Sequence, residues 1–155
     1  MNPLRKIISL CQYIRLFKNW RVGALARYLK GRLGPGAILF LRNGRQFTFR
    51  PVSDHVALGE VFIRECYAPI KTVKNSNLIW DVGANVGFFA IWAARFFPRA
   101  RFFSFEPCAS TYALLERNRL ANAMTMQWKT FPFGFGVRDE YREARVPGGM
   151  FGEAS

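Results

Sequence analysis

The sequence predicts an α/β fold: the first three strands of a doubly wound parallel sheet, preceded by a helical segment and a β-hairpin. From residue 78 onward, short apolar runs alternate with helical patterns, which is typical of parallel strands joined by helices. A glycine-rich loop follows the first of these runs, within the stretch DVGANVGFF at residues 81–89. Half of the 155 residues are hydrophobic, which argues against a disordered chain and fits the core of one domain.

Two helices and a linker are predicted at the N-terminus. Apolar side chains within residues 4–17 fall on one helical stripe, and a second helical pattern covers residues 20–30. The sequence GRLGPG at residues 31–36 cannot continue a helix and predicts a linker. The stripe consists of Leu4, Ile7, Ile8, Cys11 and Ile14.

A β-hairpin and a helix are predicted next. Two strand-like runs within residues 38–50 flank Asn43-Gly44, a dipeptide that suits a two-residue turn. Residues 53–69 predict a helix that begins at Ser53 or Asp54 as its cap, and residues 71–77 a basic linker. We therefore expect three parts: a basic helical segment at 1–36, a hairpin-and-helix lead-in at 37–74, and an incomplete sheet domain at 75–155.

The last part alternates strands and helices. Strands are predicted at residues 78–82, 100–105 and 124–130, with helices at 87–97 and 110–123 between them. Right-handed crossovers make such strands parallel. The aromatic residues of the first helix are expected to pack between helix and sheet: Phe88, Phe89, Trp92, Phe96 and Phe97.

Charge is distributed unevenly along the chain. The net charge is +13, and the first 53 residues hold 11 Lys or Arg and no acid. This asymmetry favours an anionic partner, and a basic amphipathic helix at residues 4–17 suits a membrane surface, although packing of its apolar face on the domain is the simpler alternative. Specific nucleic-acid binding is disfavoured because no binding fold accompanies the charge. Three scattered cysteines and no apolar run long enough to span a bilayer predict a cytoplasmic protein, with membrane contact at most peripheral.

The glycine-rich loop is the strongest functional signal. Ligands of open parallel sheets bind at the carboxyl ends of the strands, where Asp81 stands, and Gly83 and Gly87 allow close backbone approach. A P-loop is excluded because no Lys-Ser or Lys-Thr follows the second glycine. A dinucleotide such as NAD or FAD is a weaker alternative, since Asn85 replaces the middle glycine of GxGxxG.

S-adenosylmethionine fits this loop better than a dinucleotide. It has no phosphates, and its ammonium group can meet an acid at the end of the first strand, the position of Asp81. A second acid at the end of the next strand can accept hydrogen bonds from both ribose hydroxyls, and Glu106 lies there. The alternative is a structural role: Asp81 would cap amides of its own loop, and Glu106 would be an ordinary acid at a helix start.

Residues 46–150 resemble the FkbM family of S-adenosylmethionine-dependent methyltransferases. The resemblance rests on the loop DVGANVG at residues 81–87, on Phe-Glu-Pro at 105–107, and on Arg117-Asn118 with Asn122 in the following helix. It implies a Rossmann-like class I methyltransferase sheet in which residues 75–155 form a partial S-adenosylmethionine-binding domain. It also implies that Asp81, Gly83, Asn85 and Gly87 line the methionine side and that Glu106 holds the ribose; Ala84 and Pro107 belong to the same site.

The resemblance implies O-methylation of a hydroxyl on a sugar, glycan or natural-product-like small molecule. The family continues with further strands that this sequence lacks, so we expect a truncated N-terminal portion whose first sheet strand has an exposed edge capable of self-association. The alternative function is an inactive remnant that binds anionic membrane. No catalytic base or metal ligand is assigned: His55, Asp139 and Glu140 are expected to be structural or solvated.

Overall fold

The computed structural model describes residues 3–28, 36–73 and 75–136. Two helices and a two-stranded hairpin precede a three-stranded sheet with helical connections. In chain order the elements are α1 (Pro3–Leu16), α2 (Trp20–Tyr28), β1 (Ala37–Phe40), β2 (Gln46–Phe49), α3 (His55–Leu58), β3 (Leu78–Val82), α4 (Phe88–Ala93), β4 (Arg101–Phe105), α5 (Ala109–Ala121) and β5 (Gln127–Phe131).

The sheet confirms the predicted α/β fold. Strands β3, β4 and β5 are parallel and lie in that spatial order, with Asp81 opposite Ser104 and Ser104 opposite Thr130. Their carboxyl ends therefore meet at one edge. Strand β5 begins at Gln127, three positions after the predicted start at 124, because a turn still closes α5: the Thr125 amide donates to the Asn122 carbonyl oxygen over 2.9 Å.

The hairpin is confirmed, but its predicted two-residue turn is wrong. Strands β1 and β2 pair antiparallel, and the pairing continues to Leu41 and Arg45, whose backbones bond over 2.8 Å. The connection thus has three residues, 42–44. Gly44 alone adopts a positive φ, +90°, whereas a two-residue turn of the type expected for Asn-Gly needs positive φ at both positions.

The predicted helix at 53–69 is interrupted. Helix α3 ends at Leu58, continues as a π-helical turn over Gly59–Ile63, and is followed by a separate 3-10 turn over Ala68–Thr72. Asp54 holds the N-cap position without capping it, because its carboxylate binds the amide and guanidinium of Arg50. Glu65 takes a φ of +47°, which ends the helical path.

Helix α4 is also shorter than predicted, since its regular part ends at Ala93 and turns lead to Pro98. Phe88, Trp92 and Phe97 are buried as expected, but Phe89 is only partly buried and Phe96 is exposed, with its ring 4.9 Å from that of Trp92. Most of the predicted linker at 31–36, and the end of the predicted second helix, lie outside the described residues.

One aromatic core joins the hairpin to the sheet domain. The Phe47 ring lies 6.0 Å from Phe17, which follows α1, 5.3 Å from Phe62, and 4.9 Å from Phe88 at the start of α4. Phe17 and Phe47 are completely buried. The hairpin therefore packs, through Phe47, against the start of α4, where the glycine-rich loop ends.

Asn118 in α5 and Asn122, directly after the helix, pair with the outer edge of β2. The amide of Asn118 accepts from Thr48 N over 2.7 Å and donates to Thr48 O over 2.9 Å, and Asn122 does the same with Gln46 over 3.1 and 2.7 Å. Four helical residues rise about 6 Å and two strand residues about 6.6 Å, so the two spacings match. The side-chain amides act as the next strand would.

The helices cover one face of the sheet, and the other face is aromatic and open among the described residues. Trp80 on this open face is 57% exposed, and its ring lies 5.5 Å from Phe105 and 6.0 Å from Phe135. Within the described ranges β3 pairs only with β4, so the other side of β3 forms the unpaired sheet edge that the sequence predicts. Self-association at that edge stays a prediction.

Candidate cofactor site

The loop between β3 and α4 has a left-handed backbone at three positions. Gly83, Asn85 and Gly87 have φ values of +76°, +50° and +88°. Asparagine tolerates this region better than most residues, and glycine adopts it without strain. The sequence pattern G-A-N-V-G therefore supplies a suitable residue wherever the backbone turns left-handed.

The two glycines have different surroundings. A Cβ at Gly87 would lie 2.5 Å from Trp128 Cη2 and 2.8 Å from Leu115 Cδ1, so glycine is required there by packing as well as by φ. A Cβ at Gly83 would have no atom within 4 Å. Space is thus left open at the first glycine, two positions after Asp81, while the second glycine is packed against the core.

Asp81 is a buried acid at the carboxyl end of β3, 9% exposed. Its Oδ2 accepts a hydrogen bond from Ser104 Oγ over 3.4 Å, and Ser104 Oγ in turn accepts from Trp128 Nε1 over 2.9 Å. Among the described residues no Lys or Arg forms an ion pair with Asp81. Burial raises the pKa of Asp81 to about 7; the Ser104 hydrogen bond lowers it and the charge of Glu106 raises it.

Glu106 is equally buried, 8% exposed, but it has strong partners. Its Oε2 accepts from the Asn85 amide and its Oε1 from the Cys108 amide, both over 2.9 Å. The carboxylate thus links the β3–α4 loop to the start of α5. Amide capping, considered above for Asp81, is carried out by Glu106. A carboxylate offers about four acceptor positions, so two remain for further donors.

The predicted site residues meet at one end of the sheet. The amides of Gly83 and Ala84 both donate to Phe105 O over 3.0 Å, which holds the loop against β4. The Ala84 side chain is buried, so this residue contributes its backbone, and Pro107 is exposed beside Gly134. The cofactor roles of these residues stay predictions.

The sequence reasoning missed Ser104 and Trp128, and it named Asn118 only as part of a helix motif, without its contact to the loop. Ser104 and Trp128 form the polar chain behind Asp81, and Asn118 Nδ2 donates to Val86 O over 2.8 Å, which fixes the loop to α5. Ser104 could have been noticed as the polar residue in the apolar run FFSF. The Asn118 contact crosses 32 positions of the chain, and no local pattern reveals it.

Tyr67 is a fourth group near this end of the sheet. Its ring lies 4.9 Å from Phe89, in the first turn of α4, and the side chain is 46% exposed. Partial burial raises the pKa of Tyr67, and the negative charges of Asp81 and Glu60 raise it further. The phenol therefore stays protonated and can donate a hydrogen bond near the loop.

Other candidate residues lie elsewhere. His55 Nδ1 is 2.8 Å from Val52 O, at the start of α3 and outside the sheet. Asp139 and Glu140 lie outside the described residues. A separate cleft of about 210 Å³ between β2 and α5 is lined by residues such as Gln46 and Arg117 and contains neither Asp81 nor Glu106.

No protein-family model matches the chain. Part of it is 36% identical over 63 residues to the methyltransferase sdnD of Sordaria araneosa, covering 41% of this chain and 24% of sdnD. It is 32% identical over 59 residues to Methyltransferase 1 of Beauveria bassiana, covering 38% and 23%. The AMB antimetabolite synthetase AmbE of Pseudomonas aeruginosa is 36% identical over 85 residues, covering 54% and 4%. The chain thus spans at most about a quarter of these relatives' lengths.

Two solved structures superpose on part of this chain. TYW2 of P. horikoshii in complex with MeSAdo superposes with a TM-score of 0.48 at 17% identity, over 64% of this chain and 36% of that one. The SAM dependent methyltransferase from Agrobacterium tumefaciens gives a TM-score of 0.43 at 15% identity, over 64% of this chain and 32% of that one.

Of the helices described here, each is too short or too polar to cross a lipid bilayer.

Proposed function

We propose that this chain supplies the S-adenosylmethionine-binding part of a methyltransferase. The observation that carries the proposal is Asp81: a buried acid without an ion-pair partner among the described residues, at the carboxyl end of β3 and two positions before Gly83, where space is open. A buried carboxyl left without a cation favours binding of one. Sequence similarity to two methyltransferases supports the same assignment.

The residues fit the cofactor in two places. Asp81 would bind the ammonium group of the methionine part, where the open space at Gly83 lets the ligand approach the backbone. Glu106 would accept hydrogen bonds from the ribose hydroxyls with the acceptor positions that the Asn85 and Cys108 amides leave free. Gly87, Asn118 and the Glu106 bridge would hold the loop in shape before the ligand binds, which reduces the ordering cost of binding.

The proposed reaction is methyl transfer to a hydroxyl. When held by Asp81 and Glu106, S-adenosylmethionine would supply a methyl group on a sulfonium, whose sulfur would keep the bonding electron pair as the methyl carbon passes to the acceptor oxygen. The acceptor hydroxyl would give its proton to a base. Positioning of the two reactants can lower the activation free energy by on the order of 7–11 kcal/mol. The FkbM resemblance of residues 46–150 favours a sugar or natural-product-like acceptor.

The test is calorimetric titration of the full chain with S-adenosylhomocysteine. We expect binding by the unchanged protein, and at least about tenfold weaker binding by Asp81→Ala and by Glu106→Ala. Glu60→Ala is the control, since Glu60 is an exposed acid paired with Arg64 outside the site. A folded chain that binds no ligand, or equal binding by all four proteins, contradicts the proposal.

The acceptor class needs its own measurement. Transfer of a labelled methyl group from S-adenosylmethionine to hydroxyl-bearing sugars and natural products is expected, with no transfer to analogues in which that hydroxyl is replaced by hydrogen. Transfer to amines or carbons instead would keep the cofactor assignment and remove O-methylation.

A further inference from the structure

Helix α1 has an apolar side that does not face the protein. Tyr13 is 3% exposed and points into the core, whereas Ile7, Ile8 and Ile14 are 60%, 51% and 39% exposed. At about 100° per residue, Ile7 and Ile14 lie on the side of the helix opposite the Tyr13–Leu16 face. The outer stripe, as we define it, consists of Ile7, Ile8, Leu10, Cys11 and Ile14.

This arrangement corrects the simpler expectation that the stripe packs on the domain. The inward contacts of α1 come from Tyr13 and the partly buried Leu16, together with Phe17 just beyond the helix. The stripe predicted from the sequence instead faces outward at Ile7, Ile8, Cys11 and Ile14.

The helix is fixed in this orientation at its C-terminal end. Lys18 N donates to Phe40 O over 2.8 Å, and Arg42 N donates to Leu16 O over 3.0 Å. The Asn19 side chain bonds to Phe40 N and to Ile38 O over 2.9 and 2.8 Å. Turning the outer stripe inward would break these contacts and expose Tyr13. The exposed aliphatic surface is therefore a built feature of the fold.

Exposed cations lie near the C-terminal end of the outer stripe. Arg15, Lys18, Arg21 and Arg42 are exposed, and Arg42 Nε donates to Ile14 O over 3.1 Å, which places its guanidinium at the end of the stripe. No acid occurs before Asp54 in the sequence. A surface that combines exposed aliphatic side chains with exposed cations is complementary to a layer with an anionic outer part and an apolar interior.

We propose that the outer stripe of α1 binds an anionic lipid bilayer, with the helix in the headgroup plane. The 14-residue helix is too short to cross the membrane but suits this position. The aliphatic side chains would enter the acyl boundary while Arg15, Lys18 and Arg42 meet lipid phosphates. A nucleic acid would use the cations but offers no apolar interior for the aliphatic side chains.

The test is co-sedimentation of the full chain with vesicles of phosphatidylcholine, alone or mixed with phosphatidylserine. The stripe variant is Ile7→Ser/Ile14→Ser. The matched control is Val56→Ser/Leu120→Ser, which removes aliphatic side chains that are 50% and 62% exposed elsewhere. We expect binding to the mixed vesicles, at least about tenfold weaker in the stripe variant, unchanged in the control, and weakened by salt.

Several results would overturn this proposal. They are equal binding to neutral and anionic vesicles, equal loss in both variants, and no vesicle binding by a chain that binds duplex DNA. Thermal unfolding of both variants establishes that each is folded. Because the stripe lies apart from Asp81 and Glu106, S-adenosylhomocysteine affinity should not change in the stripe variant, so failure here is distinguishable from failure of the cofactor assignment.

Discussion

Two buried acids at the carboxyl end of the sheet, Glu106 and Asp81, have different hydrogen-bond partners. In the β4–α5 loop, the Glu106 carboxylate accepts hydrogen bonds from two backbone amides, each over 2.9 Å. It thereby links the β3–α4 loop to the start of α5. At the end of β3, Asp81 accepts one hydrogen bond, from the Ser104 hydroxyl over 3.4 Å, and burial raises its pKa to about 7. Glu106 is held by backbone amides, whereas Asp81 has neither an amide nor a cation partner among the described residues. Similar burial therefore does not imply a similar role.

The largest expected effect separates the two glycines of the β3–α4 loop. Gly87→Ala should lower the free energy of unfolding by about 2–5 kcal/mol, because strain at positive φ adds to a clash with Trp128 and Leu115. Gly83→Ala carries only the strain, about 1–2 kcal/mol, since its Cβ would meet open space. Chemical denaturation of both variants measures the difference. Equal losses would show that Gly87 is not packed as described.

Asn118→Ala tests what holds the β3–α4 loop from outside. The change leaves Thr48 N, Thr48 O and Val86 O without their partners, and Asn118 is fully buried. We expect a loss of about 2–4 kcal/mol in the free energy of unfolding. Arg117→Ala, at an exposed neighbour on the same helix, is the control and should cost little. A loss within error of the control would remove Asn118 as the link between hairpin, helix and loop.

Glu106→Gln should destabilise the ligand-free protein by about 1–3 kcal/mol. The amide retains one acceptor oxygen but turns an NH₂ group toward a backbone amide that needs an acceptor. Thermal and chemical unfolding at neutral pH measure the change. A neutral or stabilising result would mean that Glu106 does not bridge the two loops.

Asp81→Asn should change the free energy of unfolding in the opposite direction and stabilise the protein. Because the pKa of Asp81 is about 7 in the folded protein against an ordinary value of 3.8, the folded protein binds more protons than the unfolded chain between these pH values, and stability falls as pH rises through them. Asparagine cannot ionise, so this variant should be more stable than the unchanged protein by about 1–2 kcal/mol above pH 7. The gain should vanish toward pH 4, and a loss of stability at pH 8 would contradict the account.

The sequence predicted the parts that local patterns determine. The parallel strands, the hairpin and the joining of Asp81, Glu106 and the glycines at one end follow from apolar runs, turn residues and the geometry of parallel sheets. The different use of the two acids could not be predicted, since it depends on whether Asn85 N turns toward Glu106.

Details of backbone path and packing were also beyond local patterns. The helix expected at 53–69 becomes π-helical over Gly59–Ile63 and ends before Glu65, which adopts a positive φ, and Asp54 binds Arg50 instead of capping the helix. The face of α1 that packs inward was misjudged because the aliphatic stripe is the more regular pattern, while Tyr13 and Phe17 make the contacts.

Proton release on ligand binding tests the central claim most directly. If Asp81 takes up the ammonium group of the ligand, it must lose its proton first at any pH below about 7. Titration with S-adenosylhomocysteine near pH 6, in two buffers of different ionisation enthalpy, should report release of about one proton per ligand bound. Asp81→Asn should release none at whatever affinity it retains. Binding by the unchanged protein without proton release would contradict the role assigned to Asp81.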